Sequence, residues 1–199
     1  MTEQAQIYLA SRSPRRHALL QQIGLPFLPL TVDVDEAAGE EESAEVYVIR
    51  LALEKARAGW AQLAGDAPRL PVLGADTAVV LDDGRILGKP VNRSDGLAML
   101  EQLSGRVHRV LTGLALVDDR EATRLSVSSV GFRELDRADM EAYWVTGEPA
   151  DKAGAYAIQG RGAVFVNHLE GSYSGVMGLP LYEVTDLLAE FSLDFRQSW

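Results

Sequence analysis

Asp76 is the residue of this chain whose setting most strongly suggests chemistry. It lies within Leu70-Pro71-Val72-Leu73-Gly74-Ala75-Asp76-Thr77-Ala78-Val79-Val80, an otherwise apolar run that reads as a central strand. A carboxylate taken out of water is costly unless it is paired, hydrogen-bonded or bound to a metal. Strands disfavour aspartate. One reading is a structural Asp at a bulge beside Gly74; the other, which fits the apolar surroundings better, is a carboxylate that holds a metal or activates a water. Lys89 stands between Gly88 and Pro90, on a rigid, non-helical corner that suits a point charge aimed at phosphate. Exposed turn lysines are common, so alone it is a weak signal.

A second cluster follows the apolar run Ile7–Ala10. In Ser11-Arg12-Ser13-Pro14-Arg15-Arg16, Ser13 is a favoured helix N-cap and Pro14 is tolerated at the first helical position. A strand end, a short loop and a helix N-terminus bring free backbone N–H groups together and suit an anion. Arg15 and Arg16 in the first helical turn oppose the dipole, at about 0.3–1 kcal/mol each if they simply face solvent. A bound phosphate reverses that penalty through charge-assisted bonds. Local sequence leaves both readings open. Lys55 shares a helix face with Val48, Leu51 and Ala52, where snorkelling to water is the simpler account. His108 alternates with Val110, Thr112 and Leu114 and reads more readily as a core histidine than as a catalyst. Two glycine-punctuated loops, Glu148–Gly160 and Gly171–Pro180, add small residues and backbone amides.

The elements that must position these groups follow from periodicity and turn chemistry. Residues 5–10 predict a buried strand and 14–23 a helix with Leu19, Leu20 and Ile23 inward; 44–62 predict a longer helix entered at Ser43. Asp82-Asp83-Gly84-Arg85 is a hairpin signal. Ser94 is expected to cap a helix bearing Leu97, Leu100 and Leu103 and ended by Gly105. Strands are expected over 106–117, 122–134 and 163–169, a helix from Asp136 to Val145, and a last helix opened by Pro180 with Leu181, Val184, Leu188 and Phe191 on one face. The acid-rich stretch Asp33–Ser43 reads as a solvated loop leading into a helix. Strands mixed with helices, plus long hairpin-connected strands, predict an α/β or α+β domain with a mixed sheet.

Composition narrows the function classes. With 199 residues the chain is long enough for one substantial domain, or a domain with two lobes around a cleft. It has no cysteine, which excludes disulfides and thiolate chemistry. A net charge of −10 argues against a grip on nucleic acid, but not against a small phosphorylated substrate held by a local Lys/Arg cluster or a metal. No apolar run reaches transmembrane length and the first residues lack a leader pattern, so a cytoplasmic protein without a membrane partner is expected. Walker A, G-x-G-x-x-G before a helix, G-x-S-x-G and H-E-x-x-H are all absent from the sequence. Acids, scattered Lys/Arg and glycine loops remain, the parts for metal-assisted chemistry on a phosphorylated small molecule.

Taken in order, Ser11–Arg16, Gly74–Thr77, Gly88–Pro90, Ser104-Gly105-Arg106-Val107-His108, Glu148–Gly160 and Gly178–Leu181 resemble the Maf family, septum-formation inhibitor-like nucleoside triphosphate pyrophosphatases, over nearly the whole chain. The resemblance implies a single domain over 1–199. Its α/β fold would have an elongated mixed β-sheet flanked by helices and two lobes around a central cleft, as in the inosine triphosphate pyrophosphatase group. It implies hydrolysis of a nucleoside triphosphate to the monophosphate and pyrophosphate with Mg²⁺ or Mn²⁺, and a homodimer. Asp76 matches the family's proton acceptor and, with Glu36, its metal-holding acids. Arg16, Lys55 and Lys89 match phosphate-clamping cations, and Ser11 and Ser13 would frame the phosphate loop. Arg15, Thr77 and Gln159 match the dTTP/UTP branch, with modified pyrimidine nucleotides as a further substrate class. The branch preferring N7-methyl-GTP has an aromatic, a Gln and a Glu there. A neutral Gln159 amide both donates and accepts, which suits a uracil or thymine edge. The alternatives are the methylated-GTP branch, a broad house-cleaning enzyme, or a nucleotide-binding regulator of septum formation without turnover.

Overall fold

A computed structural model of the chain describes residues 4–39, 42–63 and 67–196; Glu40 and Glu41 of the acid-rich stretch lie outside the described residues. In chain order the elements are β1 (Ile7–Ala10), α1 (Pro14–Gln22), β2 (Phe27–Leu30), α2 (Ala44–Gln62), β3 (Val72–Val80), β4 (Ile86–Leu87), α3 (Arg93–Leu103), β5 (Val107–Val117), β6 (Glu121–Phe132), α4 (Arg137–Val145), β7 (Val166–Glu170), α5 (Tyr173–Met177) and α6 (Leu181–Glu190). Three 3₁₀ turns, Glu148–Asp151, Ala153–Ala155 and Arg161–Phe165, connect α4 to β7. The strands form one seven-stranded sheet in the order β2-β1-β3-β5-β6-β7, with β4 paired to β3. It is mixed, as expected: β1 runs parallel to β2 and β3, while β3–β4 and β6–β7 are antiparallel.

The chain divides into two compact units. The first holds Met1–Asp76, Thr112–Ser126 and Gly178–Trp199, the second Thr77–Leu111 and Val127–Met177, so one of the points at which the chain passes between them falls between Asp76 and Thr77. In the first unit Tyr8, Ala10 and Val72 form a buried cluster with Leu30, Trp60 and Leu70 against them. α2 enters through Ser43, whose Oγ accepts the Val46 N–H at 3.3 Å, with Glu45 in the first turn complementing the dipole.

The largely aliphatic core of the second unit contains a set of aromatic contacts. Phe132 meets Tyr156 at 4.8 Å and His108 at 5.2 Å between ring centroids, and Tyr143 meets Phe165 at 5.1 Å, all three edge-on. Such contacts add about 0.5–1.5 kcal/mol beyond burial. His108 is the core histidine that alternation favoured. Its Nε2 lies 2.8 Å from the Tyr156 hydroxyl, and its Nδ1 is buried with no partner among the described residues. Burial pulls its pKa from 6.5 to about 4. The folded state therefore binds fewer protons than the unfolded chain between those values. The contribution is intact above pH 6.5 and is lost as pH falls toward 4, on the order of 3 kcal/mol. Urea unfolding from pH 7 to 4.5 should show this decline, and His108→Gln should flatten it; an unchanged slope in the variant would assign the decline to other groups.

Several boundaries differ from expectation for local reasons. Asn92, not Ser94, caps α3, its Oδ1 accepting the Asp95 N–H at 3.0 Å. Residues 161–165 are a 3₁₀ turn and the last strand begins only at Val166. β2, which carries Pro29, has no alternating pattern to announce it; as the outermost strand of the sheet it tolerates the missing N–H.

Candidate active site

The first unit draws α2 against the strands by leaving no side chain between them. A Cβ on Gly74 would lie 2.1 Å from the Ala52 carbonyl oxygen and 2.8 Å from the Ala56 nitrogen. On Gly113, in β5, it would lie 2.4 Å from the Val48 carbonyl oxygen. Ala52 and Ala56 pack on Ala115 and Val117 in the same contact. Side chains alternate along a strand, so Asp76 shares the face of Gly74 and is directed to the same helix. On α2 the residue within reach is Lys55, one turn beyond Ala52.

Lys55 Nζ lies 2.6 Å from Asp76 Oδ1 and 2.6 Å from Glu36 Oε1. Asp76 is 9% exposed, whereas half of the Glu36 side chain is in solvent. Two carboxylates thus converge on one ammonium, and the local reading of Lys55 as a harmless snorkelling lysine gives way to an ion-paired one. Asp76 Oδ2 has no hydrogen-bond partner among the described residues. The loop bearing Glu36 is itself fastened to α2. Tyr47 donates its hydroxyl to the Glu36 carbonyl at 3.0 Å, and Arg50 Nη2 donates to the Ala37 carbonyl at 3.0 Å. Arg50 also grips Glu42 with two 2.7 Å bonds. These bonds hold the Glu42 carboxyl down at about 2. Burial, and then the charges of Asp76 and Glu36, push the Tyr47 phenol upward.

Tyr47 and Arg50 are site-building residues that sequence reading missed. The available signal was an acid-rich stretch followed, within two turns of the next helix, by an arginine.

The loop after β1 settles where Arg16 points. Its Nε donates to the Gly178 carbonyl at 2.7 Å, and its Nη1 donates to the Ala75 carbonyl at 2.8 Å and to Ser11 Oγ at 3.3 Å. Arg16 therefore turns inward, joining the loop, the residue preceding Asp76 and the segment before α6. Burial lowers its pKa, opposed by the Asp76 charge and reinforced by Arg15. Ser13 occupies the N-cap position of α1 without a side-chain capping bond, and its N–H goes to Ser11 Oγ at 3.2 Å. Arg15 is half-buried.

The remaining sequence-selected residues belong to the second unit. Thr77 is half-buried on the strand face opposite Asp76; Lys89 and Gln159 are exposed. The carbonyl of Gly88, beside Lys89, accepts the Gly154 N–H at 3.0 Å, tying two of the glycine-bearing loops together. Among the described residues no group of three or more His, Asp or Glu gathers as a metal cage. Glu36 and Asp76 nonetheless fit a hard divalent cation of the Mg²⁺ kind, which takes one or two carboxylates and completes its shell with water and substrate phosphate.

Comparison with known proteins identifies the family. The family model described as Maf-like protein matches residues 6–191. The chain belongs to the Maf family. Among Maf relatives, the dTTP/UTP pyrophosphatase of Alkalilimnicola ehrlichii is 65% identical over 195 residues, covering 97% of this chain and 96% of the relative. The dTTP/UTP pyrophosphatase of Xanthomonas axonopodis pv. citri is 54% identical over 187 residues, covering 93% and 98%. That of Saccharophagus degradans is 53% identical over 196 residues, covering 98% and 92%. A solved nucleoside-triphosphatase / dITP/XTP pyrophosphatase from Mycobacterium abscessus aligns with 65% of this chain and 74% of its own at 22% identity and TM-score 0.42, a likeness that carries no argument. No helix among the described residues is long and apolar enough to cross a membrane.

Proposed function

We propose that this Maf-family chain hydrolyses dTTP and UTP to the nucleoside monophosphate and pyrophosphate. The observation that carries the reading is the convergence of Asp76 and Glu36 on Lys55, in a chain 53–65% identical to proteins named for that activity. Asp76 is the proton acceptor. Lys55 holds one carboxylate oxygen, which leaves Oδ2 to orient a water and take its proton as the oxygen attacks the α-phosphorus. The new bond joins water oxygen to the α-phosphorus, the α–β bridging bond breaks, and the bridging oxygen leaves with pyrophosphate. The proton passes from Asp76 to solvent, which resets the carboxylate. Such a reaction gains most from positioning and from cations at developing negative charge. Lys55 supplies one cation, and Lys89 is assigned a second.

Arg16 serves this site by fixing the backbone before Asp76 and by adding positive charge near the helix N-terminus. Ser11 and Ser13 offer hydroxyls on the same loop. Glu36 and Asp76 would hold Mg²⁺ or Mn²⁺. When bound, that ion neutralises phosphate charge and polarises the phosphoryl group. The reading places the protein in the cytoplasm, where its substrates are. Gln159, with Thr77 and Arg15, is assigned to base selection.

Pyrophosphate release should be measured with Mg²⁺ or Mn²⁺ across dTTP, UTP, CTP, GTP and N7-methyl-GTP. The expected result is turnover of dTTP and UTP at least tenfold above the purines, a discrimination typical of a site built around base hydrogen bonds. Turnover confined to N7-methyl-GTP, or nucleotide binding without turnover, would overturn it.

A further inference from the structure

The turn that presents Gln159 is fastened by two side chains, Tyr143 and Glu148, that have no part in the proposed chemistry. Residues Ala157–Gly160 form a turn closed by the Gly160 N–H donating to the Ala157 carbonyl at 3.1 Å. Gln159 is exposed at its apex while its neighbour Ile158 is buried. Below it, the Tyr143 hydroxyl accepts the Ala157 N–H at 3.0 Å and donates to Glu148 Oε1 at 2.6 Å. The same Oε1 accepts the Gly162 N–H at 3.2 Å, and Oε2 accepts the Arg161 N–H at 3.0 Å. A carboxylate so bound occupies the space that a side chain at position 160 would need: a Cβ on Gly160 would lie 2.4 Å from Oε2.

The clamp is itself held. Tyr143 is 4% exposed within the core of the second unit, and Thr146 accepts the Glu148 N–H at 3.2 Å while donating its hydroxyl to the Tyr143 carbonyl at 2.7 Å. Burial alone would raise the Glu148 carboxyl, yet its hydrogen bonds, that from Tyr143 foremost, hold it below its ordinary value.

An exposed glutamine on a loose loop is a poor reader of hydrogen-bond pattern. Fixing it in a base contact costs side-chain and loop entropy, and it can flip its amide. Three hydrogen bonds from the loop backbone to two side chains, themselves bonded to each other, lower the loop cost before any ligand arrives. We infer that Tyr143 and Glu148 are positioning residues that fix Gln159 for reading the base edge of the nucleotide. The inference rests on the assignment of Gln159 to base selection.

A double-mutant cycle tests it. Tyr143→Phe, Glu148→Gln, Gln159→Ala and the two doubles with Gln159→Ala are compared in the full chain, on whichever nucleoside triphosphate the wild type hydrolyses. Each clamp variant should raise KM about tenfold, as expected for losing roughly one directed hydrogen bond, with kcat within about twofold. In the Gln159→Ala background the clamp variants should add almost nothing, since they act through that side chain. The inhibition constant of inorganic tripolyphosphate, which has phosphates but no base, should stay within twofold. A folded variant with unchanged KM, additive effects in the doubles, or an equal rise in the tripolyphosphate constant would overturn the inference. If Tyr143→Phe does not fold, Glu148→Gln, which keeps the size and one acceptor, decides it. A wild type active only on a purine nucleotide overturns the pyrimidine assignment instead, and the cycle run on that purine still decides the clamp.

Discussion

Asp76→Asn should lower kcat for dTTP about a thousandfold while leaving the chain folded and nucleotide-binding. The size follows from the role. A positioned general base contributes about 10²–10⁴ in rate, and an amide cannot take the proton from the attacking water. Folding survives because asparagine has the same shape, and because Lys55 retains Glu36 as its counter-ion at 2.6 Å. What is lost is one of two carboxylates on that ammonium, not its only partner among the described residues. Pyrophosphate release gives kcat, calorimetric titration with dTTP gives affinity, and circular dichroism reports the fold. A kcat within threefold of wild type would remove Asp76 from the chemistry. A thousandfold loss accompanied by unfolding would make the carboxylate structural.

Gly74→Ala should be the most damaging single methyl that the first unit can receive. Its Cβ would stand 2.1 Å from the Ala52 carbonyl oxygen and 2.8 Å from the Ala56 nitrogen. These are backbone atoms in mid-helix, which no rotamer change can move aside. The helix must lift, and overpacking of this kind costs about 3 kcal/mol, here opposed by rigid backbone on both sides. In a chain of this size the melting temperature should fall by roughly 6–12 °C. Lifting α2 also draws Lys55 from Asp76, so activity should fall beyond the stability loss, since about 1 Å of misplacement is enough to cost roughly a hundredfold in rate. Gly88→Ala is the stability control, because a Cβ there meets nothing within 4 Å. Equal melting temperatures for the two variants would refute the close-packing account of how Lys55 reaches Asp76.

How far this site was legible in the sequence depends on the range of each interaction. Asp76 stood out because a charge amid apolar strand residues is locally anomalous. The boundaries of α2 and the cap of α4 at Asp136, where a full capping box forms, were legible because helix ends are set by residues a few positions apart. Lys55 was misread locally since its partners are 19 and 21 residues away, and helix periodicity says nothing about what lies opposite. Arg16 posed an electrostatic puzzle in its own turn. Its inward bonds reach Ala75 and Gly178, which no window along the chain contains. The clamp beneath Gln159 escaped notice for a different reason. Tyr143 looks like a core aromatic and Glu148 like a loop acid, and only their 2.6 Å contact shows them as one device. β2 was missed because an outermost strand with a proline carries almost no periodic signal.

The step assigned to Asp76 is the addition of water to the α-phosphorus of a pyrimidine nucleoside triphosphate. Hydrolysis of dTTP and UTP in ¹⁸O-labelled water, with the products resolved by mass spectrometry, tests it directly. The predicted result is one ¹⁸O in the nucleoside monophosphate and none in the pyrophosphate. Label in pyrophosphate, or release of labelled orthophosphate in its place, would contradict the account.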